Sequence, residues 1–312
     1  MSAAGGGNSG AFSGTGSCTR QMVHGRHSLP CADTKGCGDG RRQRGSDAAS
    51  AGGVRQPFGF GVAVDEFDDR HCGVVAIAIA GRYPDRFVPL GTVPFQAPDF
   101  AVAELDRIHK SLGFRGIEIA TNVAGEDFSA ERFRKIFARI EEFGLLIFMH
   151  PTGFPEARRF ADHYLVNVIG NPLDSTVALH HLIFGGVLHD YPNLKLVIAH
   201  GGGYLPAYSG RIDHAAAARP DCCEKINRMP TTYLKRLYFD TIVFTHHQLE
   251  YLVEQYGADH VLVGTDYPAD MGEVDPIGFI EGARGLDDNE RRAILGGNAA
   301  RLLSIEIPGR PE

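Results

Sequence analysis

The run Leu145-Leu146-Ile147-Phe148-Met149-His150 decides the fold. Five consecutive apolar residues leave no polar face, so the segment suits a strand covered on both sides, as in a parallel sheet layered with helices. It closes on a histidine followed by Pro151. Similar segments recur on either side: Phe87–Val93 and Gly116–Ala120 before it, and Lys195–His200, Leu237–Ile242 and His260–Thr265 after it. Helical stretches are expected between them, at 99–112, 130–143, 174–190, 246–257 and 287–303. Phe100, Val102, Leu105, Ile108 and Leu112 keep helical spacing, as do Phe133, Ile136, Phe137, Ile140 and Phe143. Ser129, ahead of Ala130-Glu131-Arg132, reads as an N-cap. Alternating β and α units of this kind predict an α/β fold with a parallel sheet.

An open doubly wound sheet and a closed (β/α)8 TIM barrel both satisfy that pattern. No glycine fingerprint follows a first strand, which removes the main sign of a dinucleotide-binding sheet. His150, His200, Asp240 and Asp266 each fall at the carboxyl end of a predicted strand. In a barrel those ends ring one mouth, where the chemistry is done, so the barrel is the expected architecture. Six strands are legible after residue 86, and a closed barrel needs two more from 57–86. The candidates there are Phe58–Val64 and Val74–Ala80, the second of which reads equally well as a helix. The first strands are thus expected to be atypical or missing.

Composition limits what such a chain does. The 312 residues are 43% hydrophobic and 22% charged, enough for one large domain or two small ones. A net charge of −7 gives no support to nucleic-acid binding. No apolar run of membrane-spanning length occurs, and the N-terminus lacks the apolar segment of a secretory signal. The six cysteines form no CxxC pair, so a reducing cytoplasmic setting is expected. Residues 1–56 hold 13 of the 39 glycines and carry +4 (7 Lys/Arg less 3 Asp/Glu), leaving −11 on the remainder (−7 − 4). That segment reads as a solvated, low-complexity arm, or as a stretch foreign to the natural start, ahead of a barrel domain at 57–312.

The chemistry-bearing residues cluster at the strand ends. His150 sits on a rigid element, where a neutral imidazole can ligate a metal or move a proton. His200 is followed by Gly201-Gly202-Gly203, which permits a sharp turn and the close approach of a ligand. Asp266, in Gly264-Thr265-Asp266-Tyr267-Pro268, can bind a metal or act as a base; its alternative is a turn cap. Asp240 is a weaker candidate, as a supporting partner or helix cap. Two imidazoles and one carboxylate at three strand ends suit a metal site with an open coordination position. Arg211 and Arg219 can clamp a carboxylate, or are ordinary helix-surface charge.

Several stretches resemble the amidohydrolase-related barrel enzymes, in particular the aminocarboxymuconate semialdehyde decarboxylase-like branch. They are Arg82-Tyr83-Pro84-Asp85-Arg86-Phe87, Leu90-Gly91-Thr92-Val93-Pro94, Leu182–Leu188, Ala199–Gly203, Gly210–His214, Gly264–Pro268 and Gly296-Gly297-Asn298-Ala299. The resemblance implies a (β/α)8 barrel, a divalent metal (usually zinc), a small unsaturated or aromatic carboxylate as substrate, and its non-oxidative decarboxylation. By motif it implies His150 and Asp266 as metal ligands, His200 as the catalytic histidine beside the metal, and Arg211 and Arg219 as substrate-carboxylate arginines. Arg219 would reach a neighbouring subunit's site, which implies a homodimer. The family opens on a strand ending His-x-His, and no such triplet occurs in this chain. His24 and His27 are no substitute, because strand positions i and i+3 face opposite sides. Three readings follow: a decarboxylase, a hydrolase or hydratase on the same barrel, and an inactive homologue lacking the N-terminal ligands.

Overall fold

The apolar runs form a single parallel sheet in the computed structural model, which describes residues 77–306 other than 153, 155 and 156. Its strands are β1 (Gly91–Thr92), β2 (Gly116–Ile119), β3 (Leu146–Met149), β4 (Lys195–Ile198), β5 (Tyr238–Asp240) and β6 (Val261–Leu262). They lie side by side in chain order, each parallel to the next. A doubly wound sheet reverses its strand order at a switch point; this one never reverses, as the winding of a barrel requires. Among the described residues six of eight barrel strands are present. The expected arm at 1–56, the boundary at 57 and the candidate strand Phe58–Val64 lie outside them. The described part of the Val74–Ala80 candidate is helical, forming α1 (77–82).

The helices that cover the sheet are α2 (Pro98–Asp106), α3 (Arg134–Phe143), α4 (Asn171–Phe184), α5 (Val187–Asp190), α6 (Ser209–Ala218), α7 (Pro230–Leu234), α8 (His246–Tyr256), α9 (Pro276–Gly282), α10 (Asp288–Arg292) and α11 (Asn298–Leu303). Helix α3 shows why they dock. Ile136, Phe137 and Ile140 share one face and are fully buried, each contributing about 2–3 kcal/mol. Phe137 packs against Phe95 and Phe128, each at a ring-centroid distance of 6.0 Å, and both of those rings meet Phe133 at 5.9 Å. The helix stops at Gly144, whose φ of +62° suits glycine. Ser129 does not cap it. A 3-10 turn over Glu131–Phe133 precedes α3, the residue at its cap is Ala130, and no side chain bonds there.

Strand parity divides the core in two. Ile117, Ile119, Ile147, Met149, Leu196, Ile198, Phe239, Val261 and Val263 pack outward against the helices. Leu146, Phe148, Val197, Ala199 and Leu262 form a smaller inward cluster, closed by Ala299, Leu302 and Leu303 of α11. His150 and Asp240 continue the inward rows of β3 and β5, and Asp266 follows four residues after β6. No helix among the described residues is long and apolar enough to cross a membrane.

Candidate metal centre

His150 occupies its place by parity alone. It follows Leu146 and Phe148 on the inward row, its N–H donates to the Ile119 carbonyl at 2.9 Å, and its ring stacks on Phe148 at a centroid distance of 6.2 Å. Asp266 lies four residues past Leu262, beyond the end of β6, and has a left-handed φ of +53°. His200 has the opposite parity. Val197 and Ala199 fill the inward row of β4, so a continued strand would carry His200 outward. A left-handed turn corrects this: His200 has φ of +57°, and Gly201, Gly202 and Gly203 have +60°, +82° and +68°.

The three side chains then meet. His150 Nε2 lies 3.3 Å from Asp266 Oδ1, and His200 Nε2 lies 3.7 Å from Asp266 Oδ2. The imidazole rings are 4.9 Å apart, edge to face, and one donor atom from each of the three residues falls within 4.8 Å of the others. All three side chains are at most 15% exposed. Burial by itself raises the Asp266 carboxyl, but the hydrogen bonds and charges of His150 and His200 outweigh it and hold the group well below the usual carboxylate range. Burial likewise lowers His200, and the Asp266 hydrogen bond with the nearby Asp240 and Asp266 charges turns the net shift upward.

These residues fit a divalent ion. Bonds of about 2.1 Å in a tetrahedron set donors about 3.4 Å apart, and His150 Nε2 lies 3.3 Å from Asp266 Oδ1. Nitrogen and oxygen donors suit zinc and its neighbours in the first transition row.

Neighbouring strand ends brace the cluster. Asp240, 5% exposed, accepts the Gly201 N–H at 2.8 Å and the Ile242 N–H at 3.1 Å on Oδ1. Thr241 Oγ1 accepts the Gly264 N–H at 3.0 Å. After β2, Thr121 donates its hydroxyl to Asp174 at the start of α4, and Asn122 joins at 3.3 Å. Glu118 of β2 faces inward beside Phe148 of β3, one layer below His150, and burial pushes its carboxyl up to about 7. The sequence suggested Asp240 only as a weak candidate, and Thr241, Thr121 and Asp174 not at all.

Arg211 and Arg219 do not join the cluster within the chain. Arg211 is exposed on α6, and Arg219, at its C-cap, is paired with Asp221 through two 3.0 Å hydrogen bonds. Among the described residues neither has a hydrogen bond or ion pair to the two histidines or Asp266. Of the other histidines, His180 Nδ1 lies 2.7 Å from the Thr176 carbonyl, and His181 pairs with Asp127 at 3.2 Å.

A family model described as amidohydrolase matches residues 29–305. A 2-amino-3-carboxymuconate-6-semialdehyde decarboxylase of Dictyostelium discoideum is 35% identical over 229 residues, which cover 73% of this chain and 64% of that protein. The protein of the same name from Caenorhabditis elegans is 27% identical, covering 74% of this chain and 70% of its own length. The chain thus spans about two thirds of these relatives. Among solved structures, 5-carboxyvanillate decarboxylase from Sphingomonas paucimobilis superposes with a TM-score of 0.71 at 26% identity, over 76% of this chain and 72% of that one.

Proposed function

The chain belongs to the amidohydrolase family, and from that premise we propose that it is a metal-dependent, non-oxidative decarboxylase of a small unsaturated or aromatic carboxylate. The observation that carries this reading is the convergence of His150, His200 and Asp266 on one point at the barrel mouth. The three relatives named above are decarboxylases, which supports it.

His150 and Asp266 would hold the ion, which we assign as zinc. When bound, it supplies Lewis acidity and positive charge to oxygen atoms of the substrate. His200 Nε2 points at the same spot and is the group placed to move a proton. In the proposed reaction that proton goes to the substrate carbon bearing the carboxylate, forming a C–H bond from a π pair and interrupting conjugation. The C–C bond to the carboxylate then breaks, its electron pair restores conjugation, and carbon dioxide leaves. Positioning and electrostatics would provide most of the effect.

Arg211 and Arg219 are assigned to the substrate carboxylate. Their exposure on α6 fits a homodimer in which Arg219 serves the neighbouring protomer's site. In that arrangement dimers mixed from Arg219→Ala and His200→Ala chains regain activity that neither variant has alone. Unchanged turnover of Arg219→Ala would remove the assignment.

The test of the function combines elemental analysis with a panel of unsaturated and aromatic carboxylates. The expected result is about one divalent ion per chain and release of carbon dioxide. Addition of water or ring hydrolysis, with metal present, would make the protein a hydratase or hydrolase. Absence of stoichiometric metal would make it an inactive homologue.

A further inference from the structure

His200 is the one member of the cluster that strand parity turns the wrong way, and what corrects it is a loop of four successive residues with positive φ. A non-glycine residue in that region is strained and persists only where its surroundings over-determine it. The atom in contact with that loop from the next strand is Asp240 Oδ1, 2.8 Å from the Gly201 N–H. Asp240 is buried, and its second partner, Ile242 N–H, ties the carboxylate to its own strand end. The adjacent Thr241 takes the Gly264 N–H on the other side. The end of β5 therefore touches the turn that carries His200 and the segment that leads to Asp266.

We propose that Asp240 is the positioning residue for His200: by accepting the Gly201 N–H it locks the left-handed turn that aims Nε2 at Asp266. The role belongs to the acceptor oxygen, not to contact with substrate. The inference rests on the assignment of His200 to the site, but its readout does not depend on turnover.

The test uses the full chain labelled with 15N-histidine, metal-free and with Zn2+, and compares Asp240→Ala with Asp240→Asn. Asparagine keeps an acceptor oxygen in the same place; alanine removes it. In Asp240→Ala the His200 imidazole signals shift or broaden while those of His150 stay, and Zn2+ affinity stays within about threefold of wild type, because His150 and Asp266 hold the ion. In Asp240→Asn the His200 signals return to their wild-type positions. If Asp240→Ala does not fold, Asp240→Ser takes its place, because a hydroxyl one atom shorter also withdraws the acceptor. Wild-type His200 signals in the folded alanine or serine variant would overturn the proposal. So would an asparagine variant as impaired as alanine, or His150 and His200 shifting alike. If no carboxylate is decarboxylated yet His200 responds to Asp240 as described, the proposed function fails and this inference stands.

Discussion

At the end of β3, His150 reaches the mouth because it continues an inward row already set by Leu146 and Phe148. At the end of β4, the inward row is Val197 and Ala199, and His200 reaches the same spot only through a left-handed turn, three glycines and a buried acceptor. One position follows from the pleat and adds no strain. The other stores about 1–3 kcal/mol in backbone conformation and needs neighbours to hold it. The two strand ends should therefore respond differently to substitution, while Asp266, which faces both histidines, should matter equally to each.

The largest expected effect is at that shared carboxylate. Asp266→Ala removes the group that meets His150 at 3.3 Å and His200 at 3.7 Å. Zn2+ affinity, measured by calorimetric titration, is expected to fall by more than about 100-fold, beyond the range typical of indirect supporting groups. Binding at wild-type strength would mean that Asp266 does not hold the ion. A second substitution breaks the comparison from the β4 side. A Cβ on Gly201 would lie 2.4 Å from Val243 Cγ1, at a φ of +60°. Gly201→Ala is expected to cost about 2–4 kcal/mol in urea unfolding, from overlap plus left-handed strain. Thr152→Ala, at an exposed site just beyond β3, should stay within about 0.5 kcal/mol. Equal losses at the two positions would erase the distinction between pleat and turn.

The same contrast explains what the sequence could reveal. The central strands were legible because Leu145–His150 and Lys195–His200 are apolar runs of strand length, and the observed strands lie within them. The edges came out shorter than expected. The Phe87–Val93 candidate retains only Gly91–Thr92, and β6 stops at Leu262, beyond which the Val263 N–H turns away to the Ile294 carbonyl. Helix α9 lies outside the expected helices although Asp275-Pro276 is a start signal, with the Asp275 side chain accepting the Gly278 N–H. The His200 site was found through its glycines. Strand parity alone would have sent the imidazole to the wrong face, and the acceptor that reverses it lies 39 residues away along the chain. No local pattern reports such a partner. The placement of Arg211 and Arg219 on the outside of α6 was visible only as one of two readings of their spacing.

The smallest effect is found one layer beneath the site, where β2 and β3 differ again. Phe148 fills its inward position with an apolar ring, whereas Glu118, its partner across the ladder, places a half-buried carboxyl there. Desolvation moves that carboxyl from 4.5 up to about 7. A raised carboxyl holds a proton in the folded state that the unfolded chain has already released. Between those two values the unfolded state therefore binds fewer protons, so stability falls as pH rises, and the full penalty is present above pH 7. At 1.36 kcal/mol per pH unit, discounted for partial exposure, the penalty is about 2 kcal/mol. Glu118→Gln removes the ionisable group while keeping its shape. The variant should be about 2 kcal/mol more stable than wild type at pH 8 and within about 0.5 kcal/mol of it at pH 4.5, by urea denaturation at both values. A difference that does not vary with pH would show that Glu118 is solvated or paired, and that the layer under His150 is no more polar on the β2 side than on the β3 side.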